Sequence, residues 1–496
     1  MSPTAPSSHS PSASSTGLPA TAPSVERRRE ERRVLAGTLV GTTIEWYDFF
    51  IYAQAAALVL GTLFFAPMGE AGAQIASWAS LGISFLVRPL GAIVAGHMGD
   101  RFGRKAVLAL TLIGMGGATV LIGLLPTYAQ IGVWAPVLLI LFRLLQGFSA
   151  GGEWGGAALM AVEHAPRGKR GLFGAYPQIG VPLGMILATL MLFGINAFTT
   201  DEQFLAWGWR VPFLVSFILI IVGHLIRTSV EESPVFQEMQ KLKARESAPL
   251  GELFHGHSTR VLLAALIFAA NNAAGYLVIA YFSGYGVKTL GMERTDTLIA
   301  SLIGGIGWLV FTLLGGWISD TIGRVRTFQV GYAIIILWAI PMWSLLNTAS
   351  LPLFILAIVV LTVGLGPSYG PQSAMYAEMF PARVRFSGIS IGYALGSIIG
   401  GAFAPMISDL ILNSTGQAWL IGAYIAGAAV VSFIAVCFVP TSIQDRDLHD
   451  EAVTAALQRV ERNGAGDGQT GERRAGLDGD RVATPGGPAV SPTEDV

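Results

Sequence analysis

The sequence predicts an all-helical membrane protein, with twelve transmembrane helices in two pseudo-symmetric six-helix bundles. Three observations carry that prediction. Of 496 residues, 52% are hydrophobic and only 13% charged, against roughly 25% charged in a soluble domain, and the mean hydropathy is +0.57. The stretch 34–439 divides into twelve apolar runs, each near the roughly 20 residues a bilayer crossing needs. Two loop motifs recur, once in each half of the chain and at nearly the same spacing. So few charges cannot cover a soluble chain of this length, which excludes a cytosolic enzyme, a nucleic-acid binder and a disordered scaffold. A net charge of −1 points to no polyanionic partner. The single cysteine, Cys437, leaves no disulfide framework.

Taken in order, the first 24 residues carry no Asp, Glu, Lys or Arg and are dense in Ser, Pro, Thr and Ala. They hold no apolar core of a signal peptide, so 1–33 reads as a disordered tail ending in five arginines between Glu26 and Arg33. Six apolar runs follow, near 36–64, 71–98, 106–125, 131–161, 171–198 and 208–227, giving an N-terminal bundle over 34–228. A charged connection, 229–258, leads to runs near 261–287, 297–319, 327–346, 351–377, 385–412 and 418–439, a C-terminal bundle over 259–440. The runs are too long for barrel strands and lack their period-two alternation. From 441 to 496 the chain turns charged and Gly-rich, a second and mostly disordered tail with a short amphipathic helix over 445–462.

Alternate loops are basic: Arg27–Arg33, Arg101/Arg104/Lys105, Arg167/Lys169/Arg170, Lys241/Lys243/Arg245, Arg324/Arg326 and Arg383/Arg385. The opposite loops hold only Lys288 and Arg294 as basic residues. The positive-inside rule puts both termini in the cytoplasm of a multi-pass protein of the inner or plasma membrane.

The repeat has two parts. Gly96-x-x-x-Asp100-x-x-Gly103-Arg104 returns as Gly316-x-x-x-Asp320-x-x-Gly323-Arg324, and Glu163-x-x-Pro166-x-x-x-Arg170 returns as Glu378-x-x-Pro381-x-x-x-Arg385. A chain built from two related halves is the economical reading. Asp at a helix end and Arg across the loop pair as a latch, a cytoplasmic gate of Gly96, Asp100, Gly103, Arg104, Glu163, Arg170, Asp320, Arg324, Glu378 and Arg385. The competing reading is that these charges only anchor helix ends in the headgroups.

These residues carry a resemblance. The doubled loop motif resembles the signature of the major facilitator superfamily, as does Arg143-x-x-Gln146-Gly147 in the fourth run. More narrowly, Glu45-Trp46-Tyr47-Asp48-Phe49-Phe50-Ile51-Tyr52, Arg88-Pro89-Leu90-Gly91, Gly152-Glu153-Trp154-Gly155-Gly156, Trp209-Arg210-Val211-Pro212-Phe213 and Glu232-Ser233-Pro234-Val235-Phe236 are similar to the metabolite:proton symporter branch. Gly152–Gly156 and Phe173-Gly174-Ala175-Tyr176-Pro177-Gln178 look most like its shikimate-type members. The resemblance implies the major facilitator fold, alternating access and symport of an organic acid, or of a zwitterion such as proline or betaine. The fifth run lacks the Gly-Pro pair of the drug antiporters, Gly180-Val181-Pro182 being a near miss.

A charge at mid-bilayer costs at least about 2.5–3.5 kcal/mol, so each demands a reason. Glu45, Asp48 and Tyr52 share one helical face, and Arg143 enters from the other side to a similar depth. Glu45 or Asp48 as proton acceptor with Arg143 as its partner is one reading; a static buried salt bridge is the other. Arg88 and Arg143 suit a substrate carboxylate through the guanidinium fork, although Arg88 would equally pair with an acid such as Glu153. Further substrate-binding candidates are Tyr52, Glu153, Trp154, Asn271, Asn272, Tyr276, Tyr369 and Gln372, the last on one face of the tenth run with Tyr369 and Tyr376; plain interhelical bonding competes for each. Gly174, Gly180 and Gly184, and Gly392, Gly396 and Gly400, form ridges for close helix packing. His97, His164 and His224 show no metal-ligand spacing.

The expectation is a transporter rather than an enzyme: proton-coupled symport of a small organic acid such as shikimate, with a zwitterionic osmolyte as the alternative. Its partners are the small-molecule substrate, protons and the lipid bilayer. No nucleic acid, cofactor or metal is expected, and a single chain suffices.

Overall fold

The computed structural model describes residues 25–94, 104–151, 153–166, 168–229, 253, 255–381 and 384–445. Expectations for the outer part of the N-terminal tail, most of the central connection, the helix over 445–462 and Gly96, Asp100 and Gly103 fall outside them, as do the side chains of Arg104 and His224. Every regular element among the described residues is a helix, and the helices form twelve spans in two six-helix bundles. Eight are long and apolar enough to cross a membrane alone: Leu35–Phe64, Ala66–Val94, Trp134–Glu163, Arg170–Phe198, Ser258–Lys288, Arg294–Ile322, Arg385–Thr415 and Trp419–Cys437. The third, sixth, ninth and tenth spans are Arg104–Leu124, Val211–Ser229, Arg324–Trp338 and a pair of helices beginning with Leu351–Leu365.

Large apolar side chains such as Leu141, Phe217, Ile218, Trp317 and Leu337 face outward, while Arg143, Gln146, Asp48 and Gln178 are buried. That inverts the soluble pattern and matches a lipid-facing exterior.

Two expectations need correction. The first helix begins at Val25, so the stretch from Glu26 to Arg33 is helix rather than tail; Arg and Glu are good helix formers, and Glu26 and Glu30 each have an arginine three residues on. The tenth run is not one rod. It is helical over Leu351–Leu365, turns over 366–371 and resumes as Gln372–Met379. Pro367 and Pro371, each after a glycine, remove backbone donors and stop the helix in mid-span.

The halves repeat in structure as in sequence. A π-helical turn interrupts the first span at Ala56–Leu60, and another interrupts the seventh, the first span of the second half, at Leu277–Tyr281. Within the first half, the second and fourth spans touch backbone to backbone: a Cβ on Gly147 would lie 1.9 Å from the Ser84 carbonyl oxygen, and one on Gly151 2.1 Å from that of Arg88. In the second half, a Cβ on Gly370 would lie 2.2 Å from the Thr312 carbonyl, in the matching pair of spans. The Gly392, Gly396 and Gly400 ridge packs on Ala264, Ala265 and Ala269 of the seventh span. The fifth span ties the molecule together, lying along the first span of its own half and the eighth of the other.

Candidate functional site

The first span brings Glu45, Asp48 and Tyr52 to the buried centre, all 2% exposed or less. Asp48 does not pair with Arg143. Its Oδ1 accepts from Ser216 Oγ (2.6 Å) on the sixth span, and its Oδ2 from Thr119 Oγ (3.1 Å) on the third. The arginine is reached through two neutral side chains instead: Arg143 donates to Gln146 Oε1, Gln146 Nε2 donates to Thr119 Oγ (2.9 Å), and Thr119 donates to Asp48. Helix spacing alone put the two charges at one depth; the hydroxyls of neighbouring spans decide which way the carboxylate turns.

Arg143 bonds no carboxylate among the described residues. Its Nε donates to the Ser80 carbonyl (3.3 Å), and Nη2 to the Leu81 carbonyl (3.0 Å) and Ser84 Oγ (2.8 Å). Its guanidinium lies 3.9 Å from the centroid of the Tyr52 ring, whose hydroxyl pairs with Ser80 Oγ (2.5 Å). Arg143 and Tyr52 therefore lock the first, second and fourth spans together, with most of their bonding capacity spent inside the first half.

Arg88 differs. It is 3% exposed and caged by the rings of Phe49 (4.3 Å), Phe85 (4.4 Å) and Trp46 (5.6 Å). Its Nε and Nη2 have no hydrogen-bond partner among the described residues. It lines a cavity between the halves together with Ala150, Gly151, Trp154, Gly155, Ser390, Tyr393 and Ala394. The cavity has about 10 Å³ of room, enough for one water and too little for an organic solute.

The second half supplies rings and amides. Tyr276 meets Phe85 of the first half edge-on (5.6 Å) and lies within electrostatic reach of Arg88, Arg143 and Glu45. Tyr369 and Tyr393 are within reach of Arg88 and Glu45 as well. Trp154 stacks on Tyr393 at 3.7 Å and gives its indole N–H to Gln178 Oε1 (2.9 Å). Gln178 Nε2 in turn donates to Gln372 Oε1 (3.1 Å) and to the Tyr369 carbonyl (3.3 Å), which also accepts from the Gln372 backbone N–H (3.1 Å) in the turn of the tenth span. Tyr369 thus sits in a turn, not on a helical face with Gln372. Other candidates spend their polar groups elsewhere, although Tyr376 meets the Trp154 ring edge-on at 6.2 Å. Asn271 donates to the Leu365 carbonyl and Ser368 Oγ within the second half, and Tyr376 to the Ala264 carbonyl. Asn272 is wedged against Gly401. Glu153 is buried at the start of its helix but does not line the cavity.

Sequence reasoning singled out neither Tyr393 and Ser390 nor Thr119 and Ser216. Serines and threonines are common in spans and carry no spacing signal. Tyr393 stands inside the Gly392–Gly400 ridge, whose four-residue period is carried by its glycines and marks no ring beside them.

Both faces are sealed across the halves. On the face bearing the basic loops, Asp320 of the eighth span accepts from the backbone N–H groups of Gly171 (2.8 Å) and Leu172 (2.9 Å), at the N-terminus of the fifth span. That is where a helix dipole favours a negative charge. Arg324 bridges Asp320 (2.7 Å) and Glu378 (3.4 Å), with Arg170 within electrostatic reach of Glu378. Arg385 donates to the Phe380 carbonyl (3.2 Å), and Glu163 is exposed. On the opposite face Trp78 Nε1 donates to Asp409 Oδ2 (2.6 Å), Lys288 bonds Gln74, and Arg294 pairs with Asp201 (2.9 Å) and Asn196 (3.0 Å).

Two six-helix bundles closing over a buried polar centre define a multi-pass membrane carrier, not an enzyme. The chain belongs to the Major Facilitator Superfamily, whose family profile matches residues 38–405. It is 38% identical over 430 residues to the inner membrane metabolite transport protein YhjE of Escherichia coli K12, covering 84% of this chain and 98% of that one. It is 36% identical over 406 residues to the shikimate transporter of the same strain (81% and 92%), and 32% identical over 418 residues to a putative proline/betaine transporter of Staphylococcus haemolyticus (84% and 89%). Among solved structures, the fold is similar to the proton:xylose symporter XylE bound to 6-bromo-6-deoxy-D-glucose, at a TM-score of 0.69 and 18% identity over 86% of this chain and 99% of that one.

Proposed function

We propose that the protein is a proton-coupled symporter of a small organic acid, such as shikimate or a related carboxylate, working by alternating access. One observation carries the reading: a buried guanidinium, Arg88, with two hydrogen-bond positions unpartnered among the described residues, in the cavity between the halves. A carboxylate is the natural ligand for that fork, and the shikimate transporter among the relatives supports it. Trp154, Tyr276, Tyr369 and Gln372 surround the same centre and supply the rings and polar groups of a small-solute site.

Asp48 is the proton carrier in this reading. Ser216 and Thr119 hold it with hydroxyls, which donate to a carboxylate and accept from a carboxylic acid equally well. The Thr119–Gln146 relay gives Arg143 a path by which to register that change. Asp320, Arg324 and Glu378 form the cytoplasmic gate, both termini lie in the cytoplasm of the inner membrane, and one chain is the working unit. A protease-sensitive tag at either terminus is then cut only from the cytoplasmic side.

A second reading has its own observation. The stacked rings of Trp154, Tyr393 and Phe268 also suit a quaternary ammonium through cation–π contact, and relatives described as putative proline/betaine transporters stand beside it. Proteoliposome uptake of shikimate, malate, proline and betaine, with and without a protonophore, separates the two. Acid uptake abolished by the protonophore supports symport of an acid; uptake of betaine alone moves the conclusion to the osmolyte. Asp48→Asn abolishes proton-driven accumulation and retains exchange, whereas accumulation at the wild-type level by both Asp48→Asn and Glu45→Gln would sink the coupling assignment.

A further inference from the structure

Trp154 and Tyr393 belong to different halves, on the fourth and eleventh spans. Their rings lie 3.7 Å apart at 11°, a full face-to-face stack. Aromatic pairs ordinarily prefer an offset or an edge-on approach, so this contact is set by the meeting of the two bundles. The two rings are anchored separately. Tyr393 has Phe268 on the seventh span of its own half against it, at 4.5 Å and 21°. Trp154 is fixed in its own half by the bond to Gln178. When the halves part, both anchors persist and the Trp154–Tyr393 stack opens.

Both rings line the cavity that holds Arg88, and so does Ser390, whose buried Oγ has no hydrogen-bond partner among the described residues. Closing the halves as they stand presses each ring onto the other. A solute with a planar face replaces one protein ring by its own and keeps the stacking. A puckered or open-chain solute does not. The Arg88 fork beside the rings asks that the solute also carry a carboxylate.

We propose that Trp154 and Tyr393 form an aromatic clamp that selects carboxylates bearing a flat ring, the ring entering between two faces that here lie on one another. The proposal rests on the organic-acid reading above and narrows it, from acids such as shikimate, whose cyclohexene ring is puckered, to related carboxylates with a flat ring. Tyr393 is the specificity-determining residue, since its side chain crosses from the second half to complete the clamp.

The test is calorimetric titration of the full-length protein in detergent with benzoate, cyclohexanecarboxylate, malate and shikimate. The first two match in size and charge and differ in flatness. The wild type should bind benzoate about tenfold more tightly than cyclohexanecarboxylate, the scale of an aromatic pair. Tyr393→Leu and Trp154→Leu should each bring that ratio to about twofold or less, and Tyr393→Phe, which keeps the ring, should retain it. The ratio is internal to each variant, so a lower folded yield does not move it. Equal binding of benzoate and cyclohexanecarboxylate by the wild type overturns the clamp whatever the variants do, as does a ratio unchanged in both leucine variants. Binding of none of the four acids fails the organic-acid reading itself, and binding of shikimate with no preference for benzoate over cyclohexanecarboxylate fails the clamp alone.

Discussion

If Asp320 holds the basic face shut, Asp320→Asn should open it. The aspartate side chain is 8% exposed, accepts from two backbone N–H groups at the start of the fifth span and pairs with Arg324 at 2.7 Å. Asparagine keeps one oxygen, so one backbone donor stays paired and the other faces an amide N–H. The loss is one charge-assisted hydrogen bond, about 1.5–3 kcal/mol, and the helix-terminus term, about 0.3–1 kcal/mol. Arg324 regains part of this by closing on Glu378, now 3.4 Å away. A net shift of about 2–3 kcal/mol towards the state open on that face is roughly 30- to 150-fold in population.

Thiol labelling reads that shift. In a Cys437→Ser background, a cysteine at Ala374 sits between the halves near the basic face, because a Cβ on Gly174 of the fifth span would lie 3.2 Å from the Ala374 nitrogen. In detergent, Asp320→Asn should speed labelling of Ala374→Cys at least tenfold and leave a cysteine at Ala402, near the opposite face, no faster. An unchanged rate at position 374, or equal acceleration at both positions, would refute the latch.

Three further outcomes follow from contacts elsewhere. Gly82→Ala puts a Cβ 2.3 Å from the Ala402 carbonyl and 2.6 Å from the Phe403 ring, across the halves; it should wedge the opposite face apart, speed labelling of Gln74→Cys and cut transport at least tenfold, an order-of-magnitude expectation for blocked closure. Gly147→Ala, with its Cβ 1.9 Å from the Ser84 carbonyl, should cost about 1–3 kcal/mol of stability and lower the melting temperature in detergent, while Gly194→Ala, where nothing lies within 4 Å, should leave it unchanged. Arg210 donates to the Gly123 (2.9 Å) and Leu125 (2.6 Å) carbonyls, closing the end of the third span; Arg210→Gln should lower melting by the loss of about 1–3 kcal/mol without altering the order of substrate preference.

What could be read from the sequence follows a physical line. Charges are so costly in a bilayer that every buried one stands out, and Glu45, Asp48, Arg88 and Arg143 are all buried, with Arg88 in the cavity between the halves. The repeat that relates Gly96-x-x-x-Asp100 to Gly316-x-x-x-Asp320 reappears in the paired π-helical turns, Ala56–Leu60 and Leu277–Tyr281, each in the first span of its half. Partner choice was not legible. Asp48 turns to Ser216 and Thr119 rather than to an arginine, and one hydroxyl among many in apolar spans leaves no pattern. The break at 366–371 hides for another reason: hydropathy stays high through it, and only the doubled Gly-Pro marks the place where backbone leaves the helix.

The asymmetry between the halves bears on coupling. On the reading proposed above, Arg88 without a carboxylate leaves two N–H positions buried and unpartnered among the described residues, each costing about 1–3 kcal/mol. The Phe49, Phe85 and Trp46 rings return about 0.5–2 kcal/mol apiece. The two are of the same size, so the rings hold the unloaded guanidinium, and what a bound carboxylate adds to closure is its charge-assisted hydrogen bond, about 1.5–3 kcal/mol, roughly a 10- to 150-fold faster passage of the loaded carrier. Loaded exchange should therefore outrun net flux. In proteoliposomes, counterflow of labelled acid should exceed zero-trans efflux at least fivefold, and Arg88→Gln should narrow the gap because it removes the buried charge along with the ligand's anchor. Equal rates of counterflow and efflux in the wild type would show that closure does not depend on filling the site, and Arg88 would then be a packing charge held by its rings.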